Sequence, residues 1–213
     1  MNKAIALSAV LAGLLVSVPA NAYADTEQTY DFTGFNEIDV AAGIEVIYEQ
    51  ADAYNVVADF RRGGPDDLKI HKEGDRLYIS KKMQAGWGDK LRVTVHVTSP
   101  DLNGVEASSG SSIRATGIKS DDFALKVSSG ASADLSGECG GITIRVSSGG
   151  NADAKALKCE TVTATASSGG SAKAYASASA KSKTSSGGSV DIWGDPAARE
   201  ANNSISGGST DFH

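Results

Sequence analysis

Apolar and polar residues alternate through the second half of the chain in short runs that recur at a nearly constant interval. In each run the apolar side chains take every second position, and mostly Lys, Arg or Thr stands between them. This period of two is typical of a strand with one buried face. Three successive runs show the pattern: Phe123, Leu125 and Val127; Ile142, Ile144 and Val146; Val162, Ala164 and Ala166.

Each run leads into Ser-Ser-Gly or a close variant of it, and a second short strand follows the glycine. The first glycines of the six copies lie 20, 19, 20, 18 and 20 residues apart, at Gly110, Gly130, Gly149, Gly169, Gly187 and Gly207. Such a fixed period predicts a solenoid whose coils stack on one another. The predicted fold is all-β, a single-stranded parallel β-helix with about 20 residues per coil, and the chain after residue 24 would form roughly nine coils.

Residues 1–24 have the features of a secretory signal peptide. Lys3 is followed by an apolar run and by two small-x-small cleavage sites, which end at Ala22 and Ala24. The run is short for a membrane-spanning helix. We expect an exported protein, periplasmic, extracellular or at the cell surface, with residues 25–213 as a single β-helix domain. Residues 30–104 would form irregular opening coils, and 105–213 the regular coils, whose core thins to Ala and Ser over residues 170–184.

The charge of the chain limits its partners. The formal net charge is −6, and Arg61-Arg62 is the only pair of adjacent arginines. Because Lys and Arg are otherwise scattered, no basic patch of the kind that binds nucleic acid is predicted. A glycan or another envelope protein remains as the expected class of partner, and no cofactor is indicated. The last coil would expose unpaired strand edges, so a homo-oligomer through the C-terminal coil is also expected.

The two cysteines occupy equivalent positions in neighbouring repeats. Cys139 and Cys159 each precede the first glycine of the next Ser-Ser-Gly by 10 residues. Neighbouring strands lie about 4.8 Å apart, and a disulfide needs Cα atoms about 4.4–6.8 Å apart. In an oxidising compartment the pair is predicted to form a disulfide. A stacked pair of free thiols is the alternative.

Short motifs in the first half give the chain a family resemblance. Residues 35–46 read F-x-x-I-x-V-x-x-G-I-x-V, an L-x-I-x-K strand follows, residues 95–100 read V-x-V-x-x-P, and the serial Ser-Gly repeats come next. The chain thereby resembles the family named putative auto-transporter adhesin, head GIN domain. The resemblance implies a parallel β-helix, expected to be right-handed, and an adhesin-like role. It implies no catalytic residue.

One charged column could carry chemistry. The fourth residue after each first glycine is Arg114, Asp134, Asp153, Lys173, Asp191 or Asp211. Asp134 and Asp153 would lie one coil apart, and could hold Ca²⁺ or act as paired carboxylates. The alternative is a solvated column in which Arg114 and Lys173 neutralise their neighbours. We therefore expect a non-enzymatic, surface-binding module of the cell envelope. The alternative function is a glycan-active enzyme, a lyase-like or hydrolase-like β-helix that uses this column.

Two further features are candidates for surface binding. Trp87 lies in a loop flanked by glycines, where an exposed indole could contact a sugar or a protein; the alternative is packing over the first coils. The two serines of each repeat form the second feature. The first serine is expected to point outward and the second to hydrogen-bond at the corner, either as a binding face or as turn chemistry alone.

Overall fold

The computed structural model describes residues 26–82, 91–204 and 206–213. Strands make up 69% of the structure, and the described residues contain no α-helix, only a 3-10 turn at Pro65–Asp67. The predicted signal peptide and Trp87 lie outside the described residues. The strands, in chain order, are β1 Thr26–Thr29, β2 Glu37–Val40, β3 Glu45–Gln50, β4 Asn55–Arg62, β5 Leu68–Glu73, β6 Arg76–Lys81, β7 Arg92–Ser99, β8 Gly104–Ala107, β9 Ser112–Val127, β10 Ser132–Val146, β11 Asn151–Ala166, β12 Ser171–Thr184, β13 Gly188–Trp193, β14 Ala198–Asn203 and β15 Gly208–Phe212.

From β8 onward the chain winds into a parallel β-solenoid. About five turns, each of about 20 residues, stack in register. The long strands contribute to both sides of the coil: β3 pairs with the first half of β9, and β8 pairs with its second half. The same register continues from β9 through β10, β11 and β12, and every pairing in this series is parallel. The predicted all-β solenoid is confirmed, whereas its right-handed sense stays a prediction.

The first half of the chain forms the end of this stack in an order that differs from the sequence. Strand β2 pairs with β6 and β8, and β3 pairs with β7 and β9, all in parallel. The β6–β7 rung therefore lies outside the β2–β3 rung, although it comes later in the chain. Strand β4 then pairs antiparallel with β7, β1 with β4, and β5 with β6.

These antiparallel strands explain why the expected count of nine coils is wrong. A count of coils from chain length assumes that every residue winds around the axis. Strands β1, β4 and β5 instead run back against the first rungs and cover the edges that β6 and β7 would otherwise expose. The regular stack is accordingly about five turns long.

Each Ser-Ser-Gly forms a tight corner between the two sides of a coil. The second serine and the glycine both have positive φ, for example 53° at Ser129 and 71° at Gly130, as in a type I′ turn. The N–H of Ala131 donates to the carbonyl of Ser128 across this turn at 3.1 Å. The second serines of four other corners have the same left-handed conformation, which is uncommon for residues other than glycine.

The position after the turn glycine explains the Gly-Gly pairs of the later repeats. A Cβ atom at Gly188 would lie 2.3 Å from the carbonyl oxygen of Ala166 in the preceding coil. No side chain fits at that distance, so the corner requires glycine there. The equivalent residues of the earlier coils, Ser111 and Ala131, are buried but do carry side chains. The corner thus tightens from the first coils to the last.

Candidate binding surface

The second serines form an exposed row along one edge of the solenoid. The carbonyl of Ser129 accepts the N–H of Gly110 from the preceding coil at 3.1 Å, and the same contact joins Gly130 to Ser148 and Gly149 to Ser168. These serines therefore hold the corners in register through their backbone, while their side chains face solvent. The first serine of each pair is half-buried. The first serine was expected to be the outward-pointing one, but the second is the more exposed of the two. The second serines therefore form the line of hydroxyls at one-coil spacing.

The charged column has the register that the sequence predicts. Asp134 pairs with Arg114 on one side and with Asp153 on the other, and Asp153 pairs with Lys173. The guanidinium of Arg114 lies 3.8 Å from the carboxylate of Asp134, and the ammonium of Lys173 lies 3.7 Å from that of Asp153. Each carboxylate thus turns to a cation of a neighbouring coil. Such exposed pairs contribute little stability. They do, however, neutralise the negative charge of the carboxylates, which would be needed to bind a metal ion or to act as an acid–base pair.

The last members of the column follow the same pattern. Asp191 is in register with Lys173 and with Asp211. The Nε2 atom of His213 lies 3.2 Å from the carboxylate of Asp191. Within the described residues, no group of three or more His, Cys, Asp or Glu side chains is arranged to hold a metal ion.

An open groove, which the sequence did not indicate, follows the corner where the long strands bend. Its volume is about 1090 Å³, and the strand register shifts beside it, between Leu135 and Gly137 of β10. We call it the bend groove and define it by its lining: Asp101, Asn103, Lys119, Ser120, Asp121, Asp122, Glu138, Cys139, Gly140, Lys158, Cys159, Glu160, Tyr175 and Ser177. The groove crosses β9, β10, β11 and β12, so it runs along the stack. Only the glycines at the bends hint at this corner in the sequence.

The lining of the bend groove is polar and carries net negative charge. Five carboxylates face two lysines along it. The ammonium of Lys158 lies 3.9 Å from the ring centroid of Tyr175 and donates to the carbonyl of Lys155 at 3.1 Å. Ser120 donates to the side chain of Asn103 at 3.0 Å. The groove therefore offers hydroxyl, amide and carboxylate groups together with one half-buried aromatic ring.

The two cysteines lie in the floor of the bend groove. Cys139 and Cys159 are direct neighbours in the parallel register of β10 and β11. Their Cα atoms are 4.4 Å apart, and the structure joins them by a disulfide across 20 residues of chain. Both side chains are buried, with 8% and 2% of their surface exposed. The bond links two coils at the point where the bend interrupts the regular pairing.

A row of aromatic residues continues from the end of the bend groove. Tyr175 is in register with Trp193, and the ring of His213 stacks on Trp193 with centroids 4.6 Å apart. The ammonium of Lys155 lies 4.0 Å from the centroid of the indole ring. Because His213 and Lys155 already contact Trp193, this ring stabilises the last coils more than it offers a free platform.

The fold and the exposed rows define this chain as a β-solenoid with repetitive surfaces. The chain belongs to the family described as "Putative auto-transporter adhesin, head GIN domain", which matches residues 34–196. No match was found among curated proteins. No helix of the described residues has the length and apolar character needed to span a membrane.

Three solved structures are similar to this chain at low sequence identity, and the first of them shares its fold. A "putative adhesin" from Bacteroides fragilis is 16% identical, with a TM-score of 0.67, and the match covers 88% of this chain and 95% of that one. A "putative adhesin" from Parabacteroides merdae is 15% identical, with a TM-score of 0.47 and coverage of 88% and 95%. A "putative lipid binding protein" from Parabacteroides distasonis is 17% identical, with a TM-score of 0.48 and coverage of 89% and 96%.

Proposed function

We propose that this protein is an exported, non-enzymatic, adhesin-like module of the cell envelope that binds an extended hydrophilic partner along the bend groove. The groove itself carries the proposal. It is open, it runs across four stacked strands, and its volume of about 1090 Å³ lies just above the usual range for ligand sites. Its length along the stack suits a polymer better than a compact ligand.

The chemistry of the lining narrows the partner to a neutral or amino-bearing glycan. Hydroxyls and amides such as Ser120 and Asn103 can exchange hydrogen bonds with sugar hydroxyls, and Tyr175 adds an aromatic surface. The excess of carboxylates repels an anionic polymer and attracts an ammonium group. The same carboxylates would also attract an envelope polypeptide with basic side chains. The binding experiment must therefore distinguish such a polypeptide from a glycan.

The location outside the cytoplasm is supported by three observations. The family name refers to adhesins, and the first residues read as a signal peptide, with cleavage after Ala22 or Ala24. A disulfide between Cys139 and Cys159 also fits an oxidising compartment. Whether the protein stays in the periplasm or reaches the surface can be tested by protease treatment of intact cells.

The proposal is tested by binding to immobilised neutral, amino-bearing and anionic glycans. The double variant Glu138→Gln/Glu160→Gln changes the groove, and Asp134→Asn/Asp153→Asn makes the same change of net charge on the charged column. We expect amino-bearing glycans to bind the first variant about tenfold or more weakly and the second like the wild type. Tyr175→Ala should weaken neutral glycans too, because it removes the aromatic surface.

The same experiment distinguishes the enzymatic alternative. The glycan is recovered after incubation, and its chain length is measured. An unchanged length supports a binding module. Shortening that the Asp134→Asn/Asp153→Asn variant abolishes would instead assign the column to a glycan-active enzyme. Binding of a basic envelope polypeptide with no glycan binding would correct the partner.

We further propose self-association through the C-terminal coil. Strands β14 and β15 form the last rung and leave one edge of each unpaired. Phe212 is half-buried, with the guanidinium of Arg199 5.4 Å from its ring centroid. Phe212→Asp should shift light scattering toward monomer. Ile192 is fully buried, so a charge there would unfold the coil and give no information on association. A wild type that is monomeric at high concentration would contradict the proposal.

A further inference from the structure

Three arginines lie where β4 ends and β7 begins. Arg62 stands directly opposite Arg92 in the antiparallel pairing of these strands, and the register skips one residue between Phe60 and Arg62. Arg61 is the skipped residue, so two arginines of β4 stand against one of β7. A bulge of this kind redirects side chains and is common beside functional sites.

This arrangement is electrostatically unfavourable on its own. Like charges in directly opposed positions of a sheet destabilise the pairing. Within residues 26–82, 91–204 and 206–213, none of the three arginines has a carboxylate at ion-pair distance. The chain as a whole carries a net charge of −6, so a shortage of acidic residues does not explain the cluster. The repulsion would be relieved by an anion bound between the guanidinium groups.

The arginines line a hollow that can hold such an anion. Its volume is about 420 Å³, and Lys81 of β6 lines it together with Arg61, Arg62 and Arg92. Glu45 contributes the one carboxylate of this lining, and it accepts a hydrogen bond from the hydroxyl of Thr94 at 2.9 Å. Three planar guanidinium groups supply paired N–H donors that match phosphate oxygens two at a time.

We propose that this hollow binds a phosphate group. The dianionic charge of a phosphate monoester neutralises more of the cluster than a single carboxylate would. The group could belong to a lipid headgroup or to a soluble phosphorylated saccharide, which present the same chemistry. The site lies at the opposite end of the stack from β15, it shares no lining residue with the bend groove, and it does not depend on the proposed function.

Binding is measured with two probes on the full chain. Inorganic pyrophosphate is titrated by calorimetry, and flotation is measured with vesicles of phosphatidylcholine and phosphatidic acid, whose headgroup is a phosphate monoester. The variant Arg62→Gln/Arg92→Gln should weaken binding by about tenfold or more. The control Arg145→Gln/Lys183→Gln removes the same charge from exposed positions on other strands, and should bind like the wild type.

The outcomes separate the sources and test the site. Binding of pyrophosphate without flotation indicates a soluble phosphate, and binding of both probes indicates a headgroup. No binding of either probe by the wild type overturns the proposal. An equal loss in the control variant also overturns it, because the attraction would then be unspecific.

Thermal stability gives a readout that a merely structural role would not produce. At low salt and without phosphate, Arg92→Gln should raise the Tm because it relieves the repulsion with Arg62. Addition of pyrophosphate should raise the Tm of the wild type by mass action and leave that of Arg92→Gln nearly unchanged. A lower Tm for Arg92→Gln together with an undiminished response to pyrophosphate would assign the arginines to structure and overturn the proposal.

Discussion

The two ends of the solenoid keep the same register but are stabilised by different means. One row of directly paired positions on successive strands shows the difference. In stacking order from the N-terminal end, the row is Leu77, Ile38, Val105, Leu125, Ile144, Ala164, Ser182 and Ala201. Large apolar side chains fill the first rungs, and Ala and Ser replace them in the last. Since each buried CH₂ contributes about 0.8 kcal/mol, the apolar stabilisation per coil falls along the stack.

The N-terminal end combines this large core with covering strands and an ion-pair network. Arg76 Nη2 lies 2.5 Å from Glu37, Arg76 Nη1 lies 3.6 Å from Glu106, and Lys126 lies 2.6 Å from Glu106. The hydrogen bond to Glu37 raises the pKa of Arg76 above its ordinary value. The network crosses four neighbouring strands, β6, β2, β8 and β9, so it ties the outer rungs to the regular coils.

The C-terminal end closes with hydrogen bonds. Thr184 donates to the side-chain oxygen of Asn203 at 2.6 Å, Thr210 donates to the same oxygen at 2.9 Å, and Ser182 lies 2.9 Å from Thr210. Ser182 and Thr184 are buried, so their hydroxyls need these partners. A solenoid can thus end either under added strands or on a satisfied polar layer, and its backbone register does not depend on the size of its core.

The largest expected effect is a loss of core volume in the first regular coils. Leu125→Ala removes a fully buried side chain and should lower the free energy of unfolding by about 2–5 kcal/mol, because the row leaves a cavity between Val105 and Ile144. Urea unfolding followed by circular dichroism measures the change. The control Lys183→Ala, on an exposed position, should stay within about 0.5 kcal/mol of the wild type. Equal effects would contradict the contribution of Leu125 to the core of the first regular coils.

Reduction of the disulfide should have the next largest effect. The bond between Cys139 and Cys159 closes a loop of 20 residues, for which the chain-entropy model gives about 3 kcal/mol. We expect strand content to persist and the urea midpoint to fall on reduction. Before reduction, the intact mass should be about 2 Da below the dithiol form, since the bond removes two hydrogens. Quantitative labelling of both cysteines without reductant would contradict the bond.

The features predicted from the sequence are those that the repeat itself specifies. The solenoid, its period and the register of Asp134 with Asp153 follow from residues that recur once per coil. The β6–β7 rung and the Arg62–Arg92 pairing could not be predicted in this way, because those strands do not repeat and their neighbours are distant in the chain. The bend groove was missed for another reason. The groove arises from the angle between the two halves of each long strand. The alternation of apolar and polar side chains predicts a strand but not the angle at which it bends.

A smaller effect is expected from the polar layer. Thr184→Val keeps the shape of the side chain but removes the hydroxyl that donates a hydrogen bond to Asn203. Thr210 still donates to the same oxygen of Asn203. The free energy of unfolding should fall by about 1 kcal/mol. Hydrogen exchange should accelerate over β14 and β15 and remain unchanged over β2 and β3. If the variant is instead more stable than the wild type, the polar layer lowers the stability of the C-terminal end, which would contradict this prediction.

The smallest effect at neutral pH is expected from Tyr48→Phe, which tests the N-terminal end at alkaline pH. Burial raises the pKa of Tyr48 to about 12, and the hydrogen bond to Ser99 lowers it by less. The folded state therefore holds the neutral phenol more firmly than the unfolded chain does. This stabilisation is fully present below pH about 10 and is lost as the pH rises toward 12.

In Tyr48→Phe the alkaline loss of stability should become smaller, while the cost at pH 7 is only about 1 kcal/mol. Burial also raises the pKa of Tyr30, so part of the loss remains. The cost is small because Ser99 keeps its hydrogen bond to the carbonyl of Asp101, at 2.7 Å. Urea midpoints between pH 8 and 12 measure both effects, because this range extends from below to above the ordinary pKa of a tyrosine, about 10. Tyr175→Phe, at the surface of the last coils, is the matched control and should keep the wild-type alkaline slope. If Tyr48→Phe keeps that slope as well, the phenol is not the group whose burial makes the N-terminal end sensitive to alkali.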